Sequence, residues 1–540
     1  MLGKQAVIEF FQKNKIRNVF HLPGIHTLPL NEALEKQHNI KAFMGRHESG
    51  VVSMADGYAR ASGNIGVVIV TPGPGLGNIV SGCMEAYSDD IPLLIIHIDT
   101  ERKTSGKGIL HELKEPENIF RHFTKKTFAV RDAGNIAQTL AEAYHTALSG
   151  RKGPVVVSIP YVLFEKKMPA GHPAASAVNV QRTGATEAMK NRMEISRKMD
   201  ELEKILHGKK RVLVIGGKSL MLNGIRRTLE RICLNASIPF LTTTGGKGIL
   251  REDSPCSFGN VMKKGVVRDM VASADLVIAV GTRLRDVDSK RRGVKIRELV
   301  HIDIDDRWIG KNYSTLLGIT GDLKDILAGL SLVLKGKRFE WDLSHLKGLL
   351  SDEEASLFKR SSAYAATMLL RETIPEDTTI VCDLNIPSYW AEYYLPVYHQ
   401  NTFLMPRGIS PIFYSLPASI GAKIGRPERP CLALCGDGGV LPAIAELATL
   451  KKYDIPVVVF VHNNNSLGIL EDAMIDRYGR KGSMALNSPD FVGLARSFGV
   501  KAKRTRTLAG LRSILLRDIT WDEPCLIEFI QPVSPPPWRV

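Results

Sequence analysis

Gly436-Asp437-Gly438-Gly439 follows an apolar run and precedes a helix-forming stretch, Pro442 to Tyr453, with Ile444, Leu447 and Ala448 on one face. A strand that feeds a glycine turn and then a helix presents free backbone N–H groups to an anion, and a diphosphate suits that geometry. A bound diphosphate needs a divalent cation to neutralise it, and Mg²⁺ takes hard oxygen ligands in octahedral array. Asp437 supplies a charged oxygen. The next apolar run, Pro456 to His462, would bring Asn463, Asn464, Asn465 and Ser466 to the same sheet edge. Alone, such a cluster is a turn that tolerates left-handed backbone. Far upstream, Arg46, His47 and Glu48 end a predicted strand, where an isolated glutamate reads as a helix N-terminal charge.

Parallel sheets must position these residues. The runs Val67 to Val70, Leu93 to Ile98 and Val155 to Ile159 are β-branched, lack polar alternation and end at glycine, proline or charge. Strands buried on both faces read this way, and helical stretches such as Gly50 to Ala61 and Asn135 to Leu148 alternate with them. A chain of 540 residues exceeds one core, and a prior of roughly 150 residues per domain leads us to three units. We expect an α/β chain of three doubly wound parallel-sheet domains, over residues 1–170, 187–335 and 350–540. Pro, Ala, Gly and Ser dominate from Met168 to about Thr186, which suits an exposed linker. The second unit opens with a helix around Met193 to Leu206, followed by strands Arg211 to Ile215, Leu276 to Val280 and Leu299 to Ile304. A charged helical stretch, Gly336 to Arg360, leads to the third, whose strands are Thr379 to Cys382, Cys431 to Cys435 and Pro456 to His462. The tail from Pro532 to Val540 reads as extended surface chain.

The net charge of +16 comes from scattered bases. Without basic runs interleaved with aromatics it argues against nucleic acid; it reads first as a solvated surface and second as a field that steers small anionic substrates. Seven cysteines form no CxxC pair, which suits structural thiols in the cytoplasm. No apolar run reaches 18 residues, and Met1 to Lys15 reads as an amphipathic helix instead of a signal, so no membrane role is expected.

In this order and at this separation, Glu48, the Gly436 to Gly439 turn and Asn463-Asn464 resemble the thiamine diphosphate enzymes of the acetolactate synthase and 2-oxo acid decarboxylase superfamily. The resemblance covers nearly the whole chain. Arg46-His47-Glu48-Ser49-Gly50 through Met54-Ala55-Asp56-Gly57-Tyr58-Ala59-Arg60 is similar nearly residue for residue, as is Pro72-Gly73-Pro74-Gly75 with Asn78. In the middle unit, His301-Ile302-Asp303-Ile304-Asp305 and Ile309-Gly310-Lys311-Asn312 are similar too. Asn464 follows Asp437 by 27 residues, the family's spacing for its amide metal ligand. The resemblance implies thiamine diphosphate held through Mg²⁺ by Asp437, Asn464 and the Ser466 carbonyl. Gly436, Gly438, Gly439, Leu467, Gly468, Asn385 and Ser410 are the further cofactor contacts it implies in the third unit, with Pro72, Gly73 and Asn78 in the first. Glu48 would hold the ring nitrogen N1′ so that the 4′-amino group reaches its basic imino form. Ile412 would be the aliphatic residue that bends the cofactor into a V, although alone it also reads as an ordinary core isoleucine.

The implied activity is decarboxylation of a 2-oxo acid and transfer of the resulting carbanion or enamine to a second carbonyl, in the manner of an acetolactate-synthase-like carboligase. A 2-oxo acid decarboxylase releasing an aldehyde, or an aldehyde or acyloin lyase, is the alternative, and a non-catalytic homologue stands behind both. Several positions depart from the family. Asn385-Ile386-Pro387-Ser388-Tyr389 precedes Trp390 where the synthases carry Gly-Gln-His-Gln, and Ser410, Pro411, Phe413 and Ser415 replace glycines around Ile412. Leu470 stands at the decarboxylases' glutamate and Ala473 at the synthases' tryptophan, while Glu471 and Asp472 read as helix surface charge. His26 occupies the place where certain aldehyde lyases present a histidine. His111, in Leu110-His111-Glu112, resembles a motif of relatives that include decarboxylases of basic 2-oxo acids. Either could shuttle protons near neutrality, or serve as a structural hydrogen-bonder. Some relatives hold FAD or ADP in the middle unit and others leave it empty. Gly281 to Asp286 marks the strand end where a dinucleotide would lie, with FAD the minority reading. The resemblance further implies a homodimer at minimum, or a tetramer, with first and third domains of different subunits facing each other across the cofactor.

Overall fold

The long β-branched runs become interior strands, and shorter, less regular runs join at the edges. The computed structural model describes residues 1–101, 103, 105–168, 185–222 and 224–540. Among them, three six-stranded sheets follow one another, and every strand pairs in parallel. The first holds β1 Asn18–His21, β2 Lys41–Met44, β3 Gly66–Val70, β4 Leu93–Asp99, β5 Lys126–Ala129 and β6 Val155–Pro160, ordered β2-β1-β3-β4-β6-β5. The second holds β7 Val212–Gly216, β8 Phe240–Thr242, β9 Ser257–Asn260, β10 Leu276–Val280, β11 Leu299–Asp303 and β12 Leu317–Thr320, ordered β12-β11-β10-β7-β8-β9. The third holds β13 Thr379–Cys382, β14 Phe403–Leu404, β15 Cys431–Gly436, β16 Val458–Asn463, β17 Lys501–Thr505 and β18 Cys525–Ile530, ordered β14-β13-β15-β16-β18-β17. Counted from its own first strand, the third sheet repeats the order of the first. Both reverse direction beside their first strand, and ligands of open α/β sheets settle at the carboxyl ends of the strands flanking such a reversal. For these sheets that means the ends of β1 and β3, and of β13 and β15.

The first and third sheets are joined inside one chain by two helices, Glu48–Ser62 and Ser415–Gly425. Their backbones touch. A Cβ on Gly57 would lie 2.0 Å from the Ala418 carbonyl oxygen, and one on Gly421 would lie 1.7 Å from that of Met54. Only glycine permits this approach, and it fixes how the two halves sit.

Where all three units meet, charged side chains are largely out of water. Arg60 bonds Asp56 at 2.6 Å, Asp89 at 2.9 Å and Glu85 at 3.3 Å. Asp89 also accepts from Arg285 at 2.8 Å, Arg285 reaches Asp288 at 2.7 Å, and Arg407 reaches Asp288 at 3.0 Å. Such a cluster is tolerable only because each charge has partners.

Some expectations need correction. The strand expected to end at Glu48 ends at Met44; Glu48 opens the following helix because His47 caps it, its Nδ1 accepting from the Ser49 N–H at 3.2 Å. The helix expected over 442–453 is a 3₁₀ segment, Leu441–Glu446, and then a short α-helix, Leu447–Lys452. The charged stretch from Gly336 is helical only over Leu343–Arg360, started by the Asp342 cap. The linker expected at 168–186 lies almost wholly outside the described residues. The tail does not stay on the surface as extended chain: Trp538 packs edge-on against Tyr389 at 4.9 Å, and Arg539 bonds Asp472 at 2.8 Å. All seven cysteines are free and buried, and no helix among the described residues is long and apolar enough to cross a membrane.

Candidate functional site

Glu48 is the first residue of its helix, where the N-terminal end of the dipole favours a carboxylate. It is buried, and its Oε2 accepts from Asn78 Nδ2 at 2.9 Å. Asn78 closes the short helix Pro74–Asn78 that follows β3 and the Pro72-Gly73 turn. Gly73 has φ +64° and lies against His111, where a Cβ would come within 3.0 Å of the histidine's own Cβ. His111 itself holds φ +68°, a left-handed conformation that costs a non-glycine residue of order 1–3 kcal/mol and concentrates at functional sites. His26, in the 3₁₀ turn after β1, brings its ring to 5.6 Å from His111 and 5.3 Å from Tyr161. Burial, and then the neighbouring His111, lower the pKa of His26, so its ring stays uncharged at neutral pH. Among the described residues, the buried atoms His26 Nδ1, His111 Nδ1 and Thr71 Oγ1 here find no hydrogen-bond partner. Thr71 also touches the spaces beside Gly24 and Gly75, and Gly75 faces Glu48. Unsatisfied polar atoms converging at the β1 and β3 ends, beside a buried carboxylate, are what a polar ligand would satisfy.

The third sheet repeats the pattern with different chemistry. β15 and β16 pair in register through Gly436 and His462, which sets Asp437, the first residue of the short helix Asp437–Val440, at the strand ends with Asn464. Asp437 is buried, which raises its pKa, and it accepts from Ser488 Oγ at 2.9 Å and the Gly438 N–H at 3.0 Å. Asn464 Oδ1 accepts from the Ser466 N–H at 3.0 Å. Ser466 Oγ donates to Glu471 at 2.6 Å, and Lys481 holds the other Glu471 oxygen at 3.0 Å. Glu471 is buried, not the surface charge expected of it. Side chains would fill the space around these oxygens: a Cβ on Gly438 would meet Leu467 at 2.7 Å, one on Gly468 would meet Asn464 at 2.5 Å, and one on Gly436 would meet Asn385 at 3.0 Å. Asn385 caps its helix by accepting from the Ser388 N–H at 2.9 Å. Among the described residues no three His, Cys, Asp or Glu side chains gather as a metal site. The set offered here is different, one carboxylate, one amide and one carbonyl, and hard oxygens of this kind suit Mg²⁺ bridged to phosphate. The residues therefore fit a magnesium diphosphate.

Sequence reading missed Asp383, at the end of β13. Its Oδ2 would stand 2.7 Å from a Cβ on Gly439, Ser415 Oγ donates to it at 3.5 Å, and burial pushes it up to about 7. An Asp after a strand carries no signal of its own; the reversal beside β13 makes its place notable. Ile412 is 54% exposed, not a core isoleucine, and both Ser410 and Phe413 beside it hold positive φ, +61° and +77°. The glycine-like backbone survives although the glycines do not. Leu470 is also exposed, 48%.

Within one chain the first domain meets the third at Glu446 and Tyr453. The Arg46 N–H donates to Glu446 at 2.9 Å, and Tyr453 Oη accepts from the Met44 N–H at 2.9 Å. The approach to Glu48 thus rests on the end of the 437–452 helical run remote from Asp437. The central crevice, at the ends of β7, β8, β10 and β11, encloses about 340 Å³. Two of its cations reach the first unit: Arg283 donates to the Ser88 carbonyl at 2.6 Å, and Lys218 donates to that of Asp89.

Family models for thiamine pyrophosphate enzymes match in chain order: the N-terminal TPP binding domain over residues 1–119, the central domain over 199–330 and the C-terminal TPP binding domain over 386–529. A probable acetolactate synthase large subunit of Methanococcus aeolicus is 29% identical, over 99% of this chain and 93% of its own length. A probable 2-ketoarginine decarboxylase of Pseudomonas aeruginosa is 30% identical, over 93% of this chain and 89% of its own length. The acetolactate synthase large subunit of Lactococcus lactis is 28% identical, over 98% and 92% respectively.

Proposed function

We infer that this chain, which belongs to the thiamine pyrophosphate enzymes, decarboxylates a 2-oxo acid and joins the remaining fragment to a second carbonyl compound. The observation that carries the reading is a pair of matched sites: a buried carboxylate, Glu48, at one sheet edge, and a glycine-walled set of hard oxygens around Asp437 at the edge of a sheet of the same topology. Bound thiamine diphosphate supplies the carbon that takes up the electrons as carbon dioxide leaves. Glu48, held by Asn78, would keep a proton at the pyrimidine N1′. Asp437, Asn464 and the Ser466 carbonyl would hold Mg²⁺, with Gly436, Gly438, Gly439 and Gly468 leaving room for the diphosphate. Ile412 and Ser410 would present the third unit's loop to the cofactor. His26, uncharged, and His111 would take or return a proton at the substrate oxygen.

We propose a homodimer as the minimum unit, with a tetramer as the larger form. Exposed apolar side chains flank both halves: Ile25, Leu28 and Leu110 near the histidines, and Leu470, Ile475 and Tyr478 beyond Ser466. A second copy would cover them. Seven buried thiols suit the cytoplasm. No cofactor and no step are assigned to the central crevice.

The histidine pair favours one second reading. Two imidazoles with free nitrogens beside Glu48 could protonate the decarboxylated fragment, and an aldehyde would then leave. Incubation with Mg²⁺, thiamine diphosphate and a panel of 2-oxo acids, followed by NMR, separates the readings. Acetolactate from pyruvate supports ligation; aldehyde alone promotes decarboxylation. Failure of the cofactor to change the circular dichroism of the protein would sink both.

A further inference from the structure

Glu85 takes no part in the site above, yet its carboxylate accepts three backbone N–H groups from one loop of another domain. It lies on the helix Val80–Ser88 and is 1% exposed. Its Oε1 accepts from the Gly408 N–H at 3.1 Å and from Arg60 Nη2 at 3.3 Å. Its Oε2 accepts from the Ile409 N–H at 2.8 Å and the Ser410 N–H at 2.9 Å. Three successive backbone donors thus converge on one side chain, and they belong to the segment that carries Ile412. Gly408 is needed for the approach, since a Cβ there would meet Ser88 Cβ at 2.7 Å and the Glu85 carbonyl oxygen at 3.0 Å.

The other end of the loop is held from the same helix system. Tyr414 is buried and donates its hydroxyl to Asp56, which also bonds Arg60 at 2.6 Å. Between these anchors sit the two positive-φ residues, Ser410 and Phe413, and the exposed Ile412. A loop that contains a bulky left-handed residue would relax if released, so something outside it must hold its shape. Glu85 supplies that hold at one end.

We propose that Glu85 is a positioning residue, by which the first domain fixes the 408–413 loop of the third and so sets where Ile412 stands. The proposal rests on the reading that Ile412 faces the cofactor. A carboxylate is required: glutamine has one oxygen, and its NH₂ would point a donor at two of the four donors that Glu85 satisfies.

The test uses the full chain carrying Glu85→Gln, with Gly408→Ala as a second variant that lifts the loop without removing a buried charge. Hydrogen exchange at residues 408–410 should accelerate by about tenfold or more in either variant, with or without cofactor. Unchanged exchange overturns the clamp. With the 2-oxo acid that the wild-type protein turns over fastest, kcat should fall about 10²-fold while the thiamine diphosphate Kd stays within about threefold. A loss confined to melting temperature and Kd, with kcat intact, overturns the positioning role. In an Ile412→Ala background Glu85→Gln should cost no further turnover, and additive losses would overturn the route through Ile412. Wild-type turnover in Ile412→Ala, with exchange still accelerated by Glu85→Gln, would instead remove the reading of Ile412 and leave the clamp standing.

Discussion

Replacing Gly421 by alanine tests the joint that holds the two halves together. The new Cβ would fall 1.7 Å from the Met54 carbonyl oxygen, 2.6 Å from its carbon and 2.9 Å from its Cα. All three are backbone atoms inside the helix Glu48–Ser62, so no rotamer change relieves the overlap. Reaching 3.4 Å, the near edge of ordinary contact, requires a separation of about 1.7 Å, and a gap of roughly 0.5–1 Å already forfeits a quarter to a half of the dispersion well. The neighbours on both helices, including Met54, Ala418 and Ile420, are fully buried and have nowhere to move. The cost belongs at the upper end of the overpacking range, about 3 kcal/mol. If the unit that melts has 150–250 residues, each kcal/mol shifts its midpoint by roughly 2–4 °C, so calorimetry should record a fall of about 6–12 °C. Gly348, inside the helix Leu343–Arg360, is the control, because a Cβ there meets nothing within 4 Å. Its alanine variant should gain about 0.5–1 kcal/mol from helix propensity. A Gly421→Ala protein that melts with the wild type, or moves with the control, would refute the close-approach argument.

Glu48→Gln should keep the cofactor-induced circular dichroism while turnover of the preferred 2-oxo acid falls roughly 10²–10⁴-fold; normal turnover would remove Glu48 from the chemistry. Asp437→Asn should raise the Mg²⁺ concentration for half-maximal cofactor binding about tenfold or more, read by titration calorimetry, because a neutral amide replaces the charged oxygen. His97 is fully buried, and burial lowers its pKa from 6.5 to about 3. The folded value lies below the unfolded one, so its neutral form contributes stability present above about pH 6.5 and lost as pH falls toward 3. The stability advantage of wild type over His97→Gln should therefore shrink by about 2 kcal/mol between pH 7.5 and pH 5, measured by urea melts. An advantage that does not change with pH would contradict the burial argument.

Glu48, Asp437 and Asn464 stood out in the sequence because each sits in a short local pattern: an acid shortly after an apolar run, a glycine-flanked acid, an amide after an apolar run. The interior strands were legible for the same reason. β10 and β13 occupy the residues expected, and β3, β4, β6 and β15 each exceed their expected spans by one residue. Edge strands such as β14 and β17 were not, since Phe403-Leu404 is too short for periodicity and Lys501–Thr505 is mostly polar and exposed. Asp383, Glu446 and Glu85 were invisible because an isolated acid acquires meaning only from what is folded over it. The positive φ of Ser410 and Phe413 escaped for the opposite reason: sequence signals left-handed backbone through glycine, and here tertiary anchors impose it on other residues.

The cluster of Arg60, Asp56, Glu85, Asp89, Arg285, Asp288 and Arg407 also bears on how such chains can be recombined. Losing any one member would strand a partner's charge in the interior, at a cost of about 3–5 kcal/mol, so single steps away from this arrangement are closed. Its members come from all three units of the chain. A chimera that takes its central unit from a relative should fold only if the donor also brings counterparts of Arg285 and Asp288 that match the host's Asp89 and Arg407. Compatibility at this junction, more than overall identity, should decide which units can be exchanged.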